Sequence, residues 1–227
     1  MSVLAKLHGG LIVSCQAKPG EPFYGSKYMS VFAKCAEIAG AVGIRANGPS
    51  DIRAIRKAVK LPILGIHKIV TPGYPVYITP TYQSARQVIQ AGSDIVALDG
   101  TNRKRLKNEK FGEIVGKIHK NCKTLVMADI STLEEGIRAE EEGADILSTT
   151  LSGYTPYSRQ SEKADFQLIK ELVRKVKVPV IAEGKIWTPE EARKAIDLGA
   201  YAVVIGSAIT RPITITKRFV RAIERKS

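Results

Sequence analysis

Four stretches of the chain share one pattern. "AGAVGIRA", "AGSDIVAL", "EGADILST" and "LGAYAVVI" each put a glycine and a small residue just before an apolar run. The glycines are Gly40, Gly92, Gly143 and Gly199, spaced by 52, 51 and 56 residues. A strand, a helix and the return to a second strand take about 30 residues. The repeat is therefore too long for one strand–helix step and suits two. Between the repeats lies a second strand type, "LPILGIHK" and "VPVIAEGK", opening at Pro62 and Pro179. A strand tolerates proline at such an opening position. A basic amphipathic helix precedes each, with apolar residues at spacings of three and four: Ile52, Ile55 and Val59, then Phe166, Ile169, Leu172, Val173 and Val176.

With the apolar runs near 10–17 and 124–130, the chain has eight strands, near 10–17, 42–47, 61–68, 94–99, 124–130, 144–150, 179–184 and 201–206. Helices fit between them and one follows the last. That alternation implies parallel strands joined by right-handed crossovers. The strands are almost wholly apolar until their final residues, as in a parallel sheet covered on both faces. The expected fold is α/β, a single (β/α)8 TIM barrel occupying residues 1–227 as one domain. An open doubly wound sheet is the runner-up, and no strand–GxGxxG–helix unit supports it. The segment "IVTPGYPVYITPT", with Gly73 and three prolines, reads as a long stiff loop over the active end.

Composition sets bounds on function. Cys15, Cys35 and Cys122 are scattered and share no ligand spacing with His8, His67 or His119, so neither a disulfide framework nor a metal site is expected. No apolar run reaches membrane-span length, and "MSVLAKLHGG" lacks a signal-peptide core. A cytoplasmic protein is expected. The formal net charge of +13 raises a nucleic-acid reading, but Lys and Arg are spread over helix faces such as "RAIRKAVK" and "IKELVRKVK". A solvated basic surface that attracts a small anion is the simpler reading, with no nucleic acid or membrane as partner. The state of assembly leaves no mark in the sequence, and a homo-oligomer is compatible with it.

The strand ends carry the chemistry. They are Ser14 and Gln16, Arg45 and Asn47, Lys68, Asp99, Asp129, Thr149 and Thr150, Glu183 and Lys185, and Gly206 and Ser207. In a barrel these ends meet on one rim, the active face. Lys68 ends an apolar strand, where Arg45, Lys185 and low-dielectric walls would lower its pKa, with Glu183 acting the other way. It would then be a usable base or an amine nucleophile. His67, adjacent, would point to the opposite face and pack. Gly184 allows close approach of backbone to ligand, and Gly206 with Ser207 repeats the device before the helix beginning at Thr210-Arg211-Pro212. Loops after the seventh and eighth strands, plus a helix start, form the usual barrel phosphate site.

The chain resembles the N-acetylmannosamine-6-phosphate 2-epimerase family. The matching pieces are "GLIVSCQA", "GAVGIRANG", "YITPT", "DIVALDGT", "MADISTLEEG", "STTLSGYT", "VIAEGKIWTPEEA" and "VVIGSAITRPITITKRFV", in order from Gly10 to Val220. The resemblance implies a phosphate-binding barrel that interconverts N-acetylmannosamine 6-phosphate and N-acetylglucosamine 6-phosphate without a cofactor, as in sialic-acid catabolism. It implies Lys68 and Glu183 as catalytic residues. Substrate contacts would fall on Gln16, Arg45, Asp129 and Tyr154, and phosphate near Gly184, Gly206 and Arg211. The family commonly has a basic residue, Asp and Tyr after its catalytic lysine; this chain has Ile69, Val70 and Thr71. Deprotonation at C2 needs a base, and inversion needs a proton on the other face, from Glu183 or from Lys68 after the intermediate turns. A Schiff-base aldolase or lyase using Lys68 on a sugar phosphate is the enzymatic alternative. A nucleic-acid-binding barrel is the alternative outside enzymes.

Overall fold

The computed structural model describes residues 2–224. Eight parallel strands close into a barrel in sequence order. They are β1 (Leu11–Cys15), β2 (Gly43–Asn47), β3 (Ile63–Ile66), β4 (Ile95–Asp99), β5 (Leu125–Asp129), β6 (Ile146–Ser148), β7 (Val180–Glu183) and β8 (Ala202–Ile205). The first helix, α1 (Val3–Leu7), precedes β1. Then come α2 (Ser26–Ile38), α3 (Pro49–Ala58), α4 (Tyr82–Gln90), α5 (Phe111–Cys122), α6 (Leu133–Glu141), α7 (Phe166–Lys175) and α8 (Pro189–Asp197), one after each of β1 to β7. After β8 follow α9 (Ser207–Thr210) and α10 (Pro212–Ile223).

Strand alternation sorts the core into two layers. Ile12, Leu64, Ile66, Ile95, Ala97, Met127, Ile146, Ile181, Ala202 and Val204 fill the barrel, together with Leu7 of α1. Residues of opposite parity, such as Val13, Ile44, Val96, Val126 and Leu147, pack outward against the buried faces of the helices. The helix starts follow local chemistry. Thr188 caps α8 in a capping box with Glu191, with Pro189 at the first helical position. Thr81 caps α4 in the same way with Ser84.

Three features differ from the sequence expectation. Helices α1 and α9 are additional, and each is too short to show periodicity. The strand expected over 61–68 is shorter, ending at Ile66. Beyond it the segment expected as a long stiff loop is a hairpin. Lys68 bridges Ile78 antiparallel, the Ile69 amide donates to the Tyr77 carbonyl at 2.9 Å, and Thr71 bridges Tyr74 at the tip. Pro72 and Gly73 occupy the turn, and Gly73 supplies the positive φ of 81° that a Pro-Gly turn requires. The returning arm inserts between the ends of β3 and β4, because the Asp99 amide donates to the Ile78 carbonyl at 3.0 Å. β3 therefore pairs with β4 only through Leu64 and Gly65. Among the described residues, no helix is long and apolar enough to cross a membrane.

Candidate active site

The inward parity of each strand continues past the apolar filling into polar groups. Ser14, Arg45, Asp99, Asp129, Ser148 and Glu183 lie two residues beyond Ile12, Gly43, Ala97, Met127, Ile146 and Ile181 on their strands. Lys68 follows Ile66 by the same step. The result is a well at the C-terminal end of the barrel with an ionised floor.

Arg45 is the centre of that floor and is 1% exposed. Its guanidinium forks onto Asp129, with Nη1 donating to Oδ1 at 3.0 Å and Nη2 to Oδ2 at 2.5 Å. Nη1 also donates to Glu183 Oε2 at 2.5 Å and to Thr150 Oγ1 at 3.2 Å. Thr150 Oγ1 lies 2.7 Å from Asp129 Oδ1 and 3.0 Å from Glu183 Oε2, bracing the two carboxylates with one hydroxyl. Burial works against the charge on Arg45, but Asp129 and Glu183 outweigh it and hold the guanidinium protonated. Asp129 is fully buried, so its oxygens serve Arg45 and Thr150 and turn no open face to the well.

Glu183 is different. Oε2 is taken up by Arg45 and Thr150, while Oε1 makes no hydrogen bond among the described residues and is not sealed from solvent. Burial raises the Glu183 carboxyl above its ordinary range; Arg45 opposes this and Asp129 adds to it. Lys68 moves the other way. Enclosure by the well, then the charge of Arg45, lower its amine to about 8, against Glu183 and Asp129. The side chain stays open to water at the mouth, which tempers the shift and leaves the amine accessible. Its backbone is fixed by the hairpin and by donation to Asn47 Oδ1 at 2.9 Å. β3 and β7 stand four strands apart in a closed ring of eight, so Lys68 and Glu183 face each other across the well.

Gln16 lies beyond β1, its Nε2 donating to Ser14 Oγ at 2.8 Å, while its Oε1 is buried without a partner among the described residues. Tyr154 is exposed on the segment between β6 and α7. Its hydroxyl is raised by burial and then by the charge of Glu183. Gly184 adopts a φ of 108°, which a residue with a side chain rarely takes. At Gly206 an added Cβ would press on Ser14 Cβ at 3.2 Å. The amides of Ser207 and Ala208 open α9 without carbonyl partners among the described residues. Arg211 lies at the junction of α9 and α10 and pairs with Glu21 of the β1–α2 loop. His67, read as packing, is half-buried with Nδ1 unpartnered among the described residues, and burial lowers its pKa.

Thr150, named among the strand ends without a role, continues the inward parity of Ser148. Two contributors escaped the sequence reading of the site. Arg103 donates to Asp99 Oδ2 at 2.6 Å, building a second ion pair beside the first, since Asp99 and Asp129 are register partners. Tyr77 enters on the hairpin return and packs on the barrel filling, and its hydroxyl is raised by burial and then by Asp129. No local signal in the sequence announces that return.

A closed eight-stranded barrel with an ionisable well at the C-terminal ends of its strands defines the class of a (β/α)8-barrel enzyme. A family model described as "Putative N-acetylmannosamine-6-phosphate epimerase" matches residues 29–225. A relative from Caldanaerobacter subterraneus subsp. tengcongensis, named "Putative N-acetylmannosamine-6-phosphate 2-epimerase", is 56% identical over 227 residues, covering 100% of this chain and 96% of its own. The solved structure of the N-acetylmannosamine-6-phosphate 2-epimerase from Clostridium perfringens superposes with a TM-score of 0.96 at 50% identity, covering 98% of this chain and 97% of that one. A thiamine phosphate pyrophosphorylase from Pyrococcus furiosus shares the fold alone, with a TM-score of 0.61 at 17% identity over 98% of this chain and 97% of its own. The chain belongs to the N-acetylmannosamine-6-phosphate 2-epimerase family.

Proposed function

We propose that this chain, one barrel domain over residues 1–227, interconverts N-acetylmannosamine 6-phosphate and N-acetylglucosamine 6-phosphate by removing and returning the proton at C2. The observation that carries the reading is the opposition of Lys68 and Glu183 across the well, with the amine lowered to about 8 and the carboxyl raised. Epimerisation requires a proton to leave one face of C2 and return to the other. In the open-chain sugar C2 lies beside the C1 aldehyde, which acidifies that proton. Lys68 as neutral amine takes it on one face and Glu183 Oε1 delivers a proton on the other. In the reverse direction the roles exchange. The enediolate between them carries negative charge above a floor whose cation is Arg45.

The remaining residues divide between binding and support. Gln16 and Tyr154 offer polar groups to the sugar. Gly184, Gly206, Ser207 and Arg211 gather backbone amides and a cation for the phosphate, on neighbouring strands β7 and β8. Arg45 and Asp129 act from below by fixing Glu183 Oε2, which leaves Oε1 for the substrate. A lowered lysine would equally suit Schiff-base chemistry, and the relatives' names favour epimerisation. A cytoplasmic location fits, because a sugar phosphate is too charged to leave across a bilayer. A homo-oligomer also fits: α10 has no buried residue and exposes Phe219 and Ile223, a face that a second copy would cover.

Proton NMR of N-acetylmannosamine 6-phosphate with enzyme in D2O tests the chemistry. The product should carry deuterium at C2 and at no other carbon. Product that keeps full protium at C2 through repeated single turnovers would defeat exchange with a solvent-accessible amine. Covalent trapping by borohydride in the presence of substrate would move the assignment to the aldolase or lyase class.

A further inference from the structure

Lys185 lies immediately after the strand that carries Glu183, and the role proposed for the well leaves it without a task. Its φ is 57°, in the left-handed region where a residue with a side chain is uncommon. The twist begins at Gly184. It carries the ammonium away from the well and into the segment 149–165, between β6 and α7. There Nζ donates to the Ser161 carbonyl and, at 3.4 Å, to the Gly153 carbonyl. It also lies 4.7 Å from the centre of the Tyr154 ring, on its face. Lys185 forms no salt bridge among the described residues, so its charge is spent on two carbonyls and one aromatic face.

The segment is shaped to receive it. Gly153 has a φ of 74°, and a Cβ there would collide with Lys185 Nζ and approach the Arg159 carbonyl to 3.2 Å. The same segment is anchored at its base by Ser152 Oγ donating to Asp165 Oδ2 at 2.7 Å. Its far side is anchored by Tyr157, whose hydroxyl donates to the buried Glu135 at 2.7 Å. Between these two anchors the span that bears Tyr154 is also tied by the Gly153 amide donating to Ser158 Oγ at 2.9 Å, by the Tyr154 amide donating to the Leu151 carbonyl at 2.9 Å and by Thr155 Oγ1 donating to Ser131 Oγ at 3.0 Å, and Lys185 adds a cation set against the Tyr154 ring itself.

We infer that Lys185 is a positioning residue: its ammonium clamps the segment 149–165 so that Tyr154 is held on the Glu183 side of the well. The kinetic consequence rests on the epimerase reading; the clamp itself does not. Loosening the segment should misplace Tyr154 by distances that cost up to about 100-fold in rate.

The test uses the full chain with Lys185→Met and Lys185→Arg, alone and with Tyr154→Ala. Trypsin has exposed sites within the segment at Arg159 and Lys163. Cleavage there should be several times faster in Lys185→Met at an unchanged melting temperature, and Lys185→Arg should restore protection. Lys185→Met should lower kcat/KM by roughly 10- to 100-fold, with Lys185→Arg recovering most of it. In the Tyr154→Ala background the same change should cost little, because the two residues act as one unit. Unchanged cleavage, or losses that simply multiply, would overturn the clamp. So would a loss confined to phosphorylated sugar that stays additive with Tyr154→Ala, since it would make Lys185 a direct phosphate ligand. Should the wild type fail to epimerise, the functional reading falls, and the trypsin comparison alone still decides the clamp.

Discussion

The opposed pair makes a prediction about pH that a single base does not. If Lys68 and Glu183 share the work, the active enzyme carries one proton between them, and the profile reports the pair rather than either residue. The lower limb belongs to Glu183, raised above the usual carboxylate range by burial, and the upper limb to Lys68 near 8. From neutrality upward kcat/KM should stay flat and then fall through about pH 8, reaching about one-tenth of its plateau at pH 9 and about one-hundredth at pH 10. A lysine acting alone on both faces needs only the neutral amine. Its rate would climb instead, from about one-tenth of maximum at pH 7 to a plateau above pH 8. An ordinary lysine at 10.5 would be about 300-fold less deprotonated at pH 7 than one at 8, so the lowered value matters in either scheme. Glu183→Gln sharpens the test. It removes the proton donor and also a charge that held the Lys68 pKa up. Residual activity should therefore change shape, rising with pH through a limb that lies below 8. The assay is initial rates in both directions, above pH 6.5 to stay clear of phosphate ionisation near 6. The two kcat/KM profiles must share one shape, because their ratio is the equilibrium constant. A wild-type profile that rises to a plateau above pH 8 would refute the two-group mechanism.

Lys68→Ala should cost about 10²–10⁴-fold or more in turnover while circular dichroism and thermal unfolding stay near wild type, since the side chain is exposed at the mouth. Asp129→Ala should destabilise the fold by about 3–5 kcal/mol in denaturant titrations, because it strands the buried Arg45 guanidinium without its forked partner. Unphosphorylated N-acetylmannosamine should show a far lower kcat/KM than its 6-phosphate, and Arg211→Ala should narrow that gap by raising KM for the phosphorylated sugar alone.

The barrel was legible because its signals are local. Glycine before an apolar run, proline at a strand start and 3–4 spacing between them are each contained in about ten residues. The members of the active rim were also legible, since inward parity simply continues from Ile66 to Lys68 and from Ile181 to Glu183. Who binds whom was not. Arg45 reaches partners 84 and 138 residues away, and Arg211 meets a glutamate 190 residues earlier. Those pairings exist only once the barrel closes. Asp129 is an example: the family resemblance implies a substrate contact there, and its pairing with Arg45 as a buried counter-ion appears only on closure. The hairpin after β3 was hidden for a different reason. Its turn holds Pro72 and Gly73, which read as part of a long stiff loop until the return arm displaces β4 from Lys68. Ile69, Val70 and Thr71 lie on that hairpin, where Val70 is 83% exposed, so the departure from the family's polar residues falls outside the ionised floor.

The succession Glu183, Gly184, Lys185 at the end of β7 now has a physical reason. Strand parity would send residues 183 and 185 to the same side, which would place an ammonium beside the carboxylate in the well. An opposite charge at that distance pulls a carboxyl down, and the proton that Glu183 must hold would be lost. The left-handed backbone at Gly184 and Lys185 breaks the pleat at the one place where this can be avoided. Glu183 is then governed by burial, Arg45, Asp129, Thr150 and Lys68, and the displaced ammonium finds carbonyls in the neighbouring segment. Gly184→Ala should therefore do more than strain a turn. By favouring an extended continuation it should return Lys185 toward the well and lower the Glu183 pKa. In a carboxyl-resolved NMR titration Glu183 would then titrate at lower pH than in the wild type, and the lower limb of kcat/KM would move down with it. A Glu183 titration unmoved in a folded Gly184→Ala variant would show that the backbone twist has no part in setting the acid.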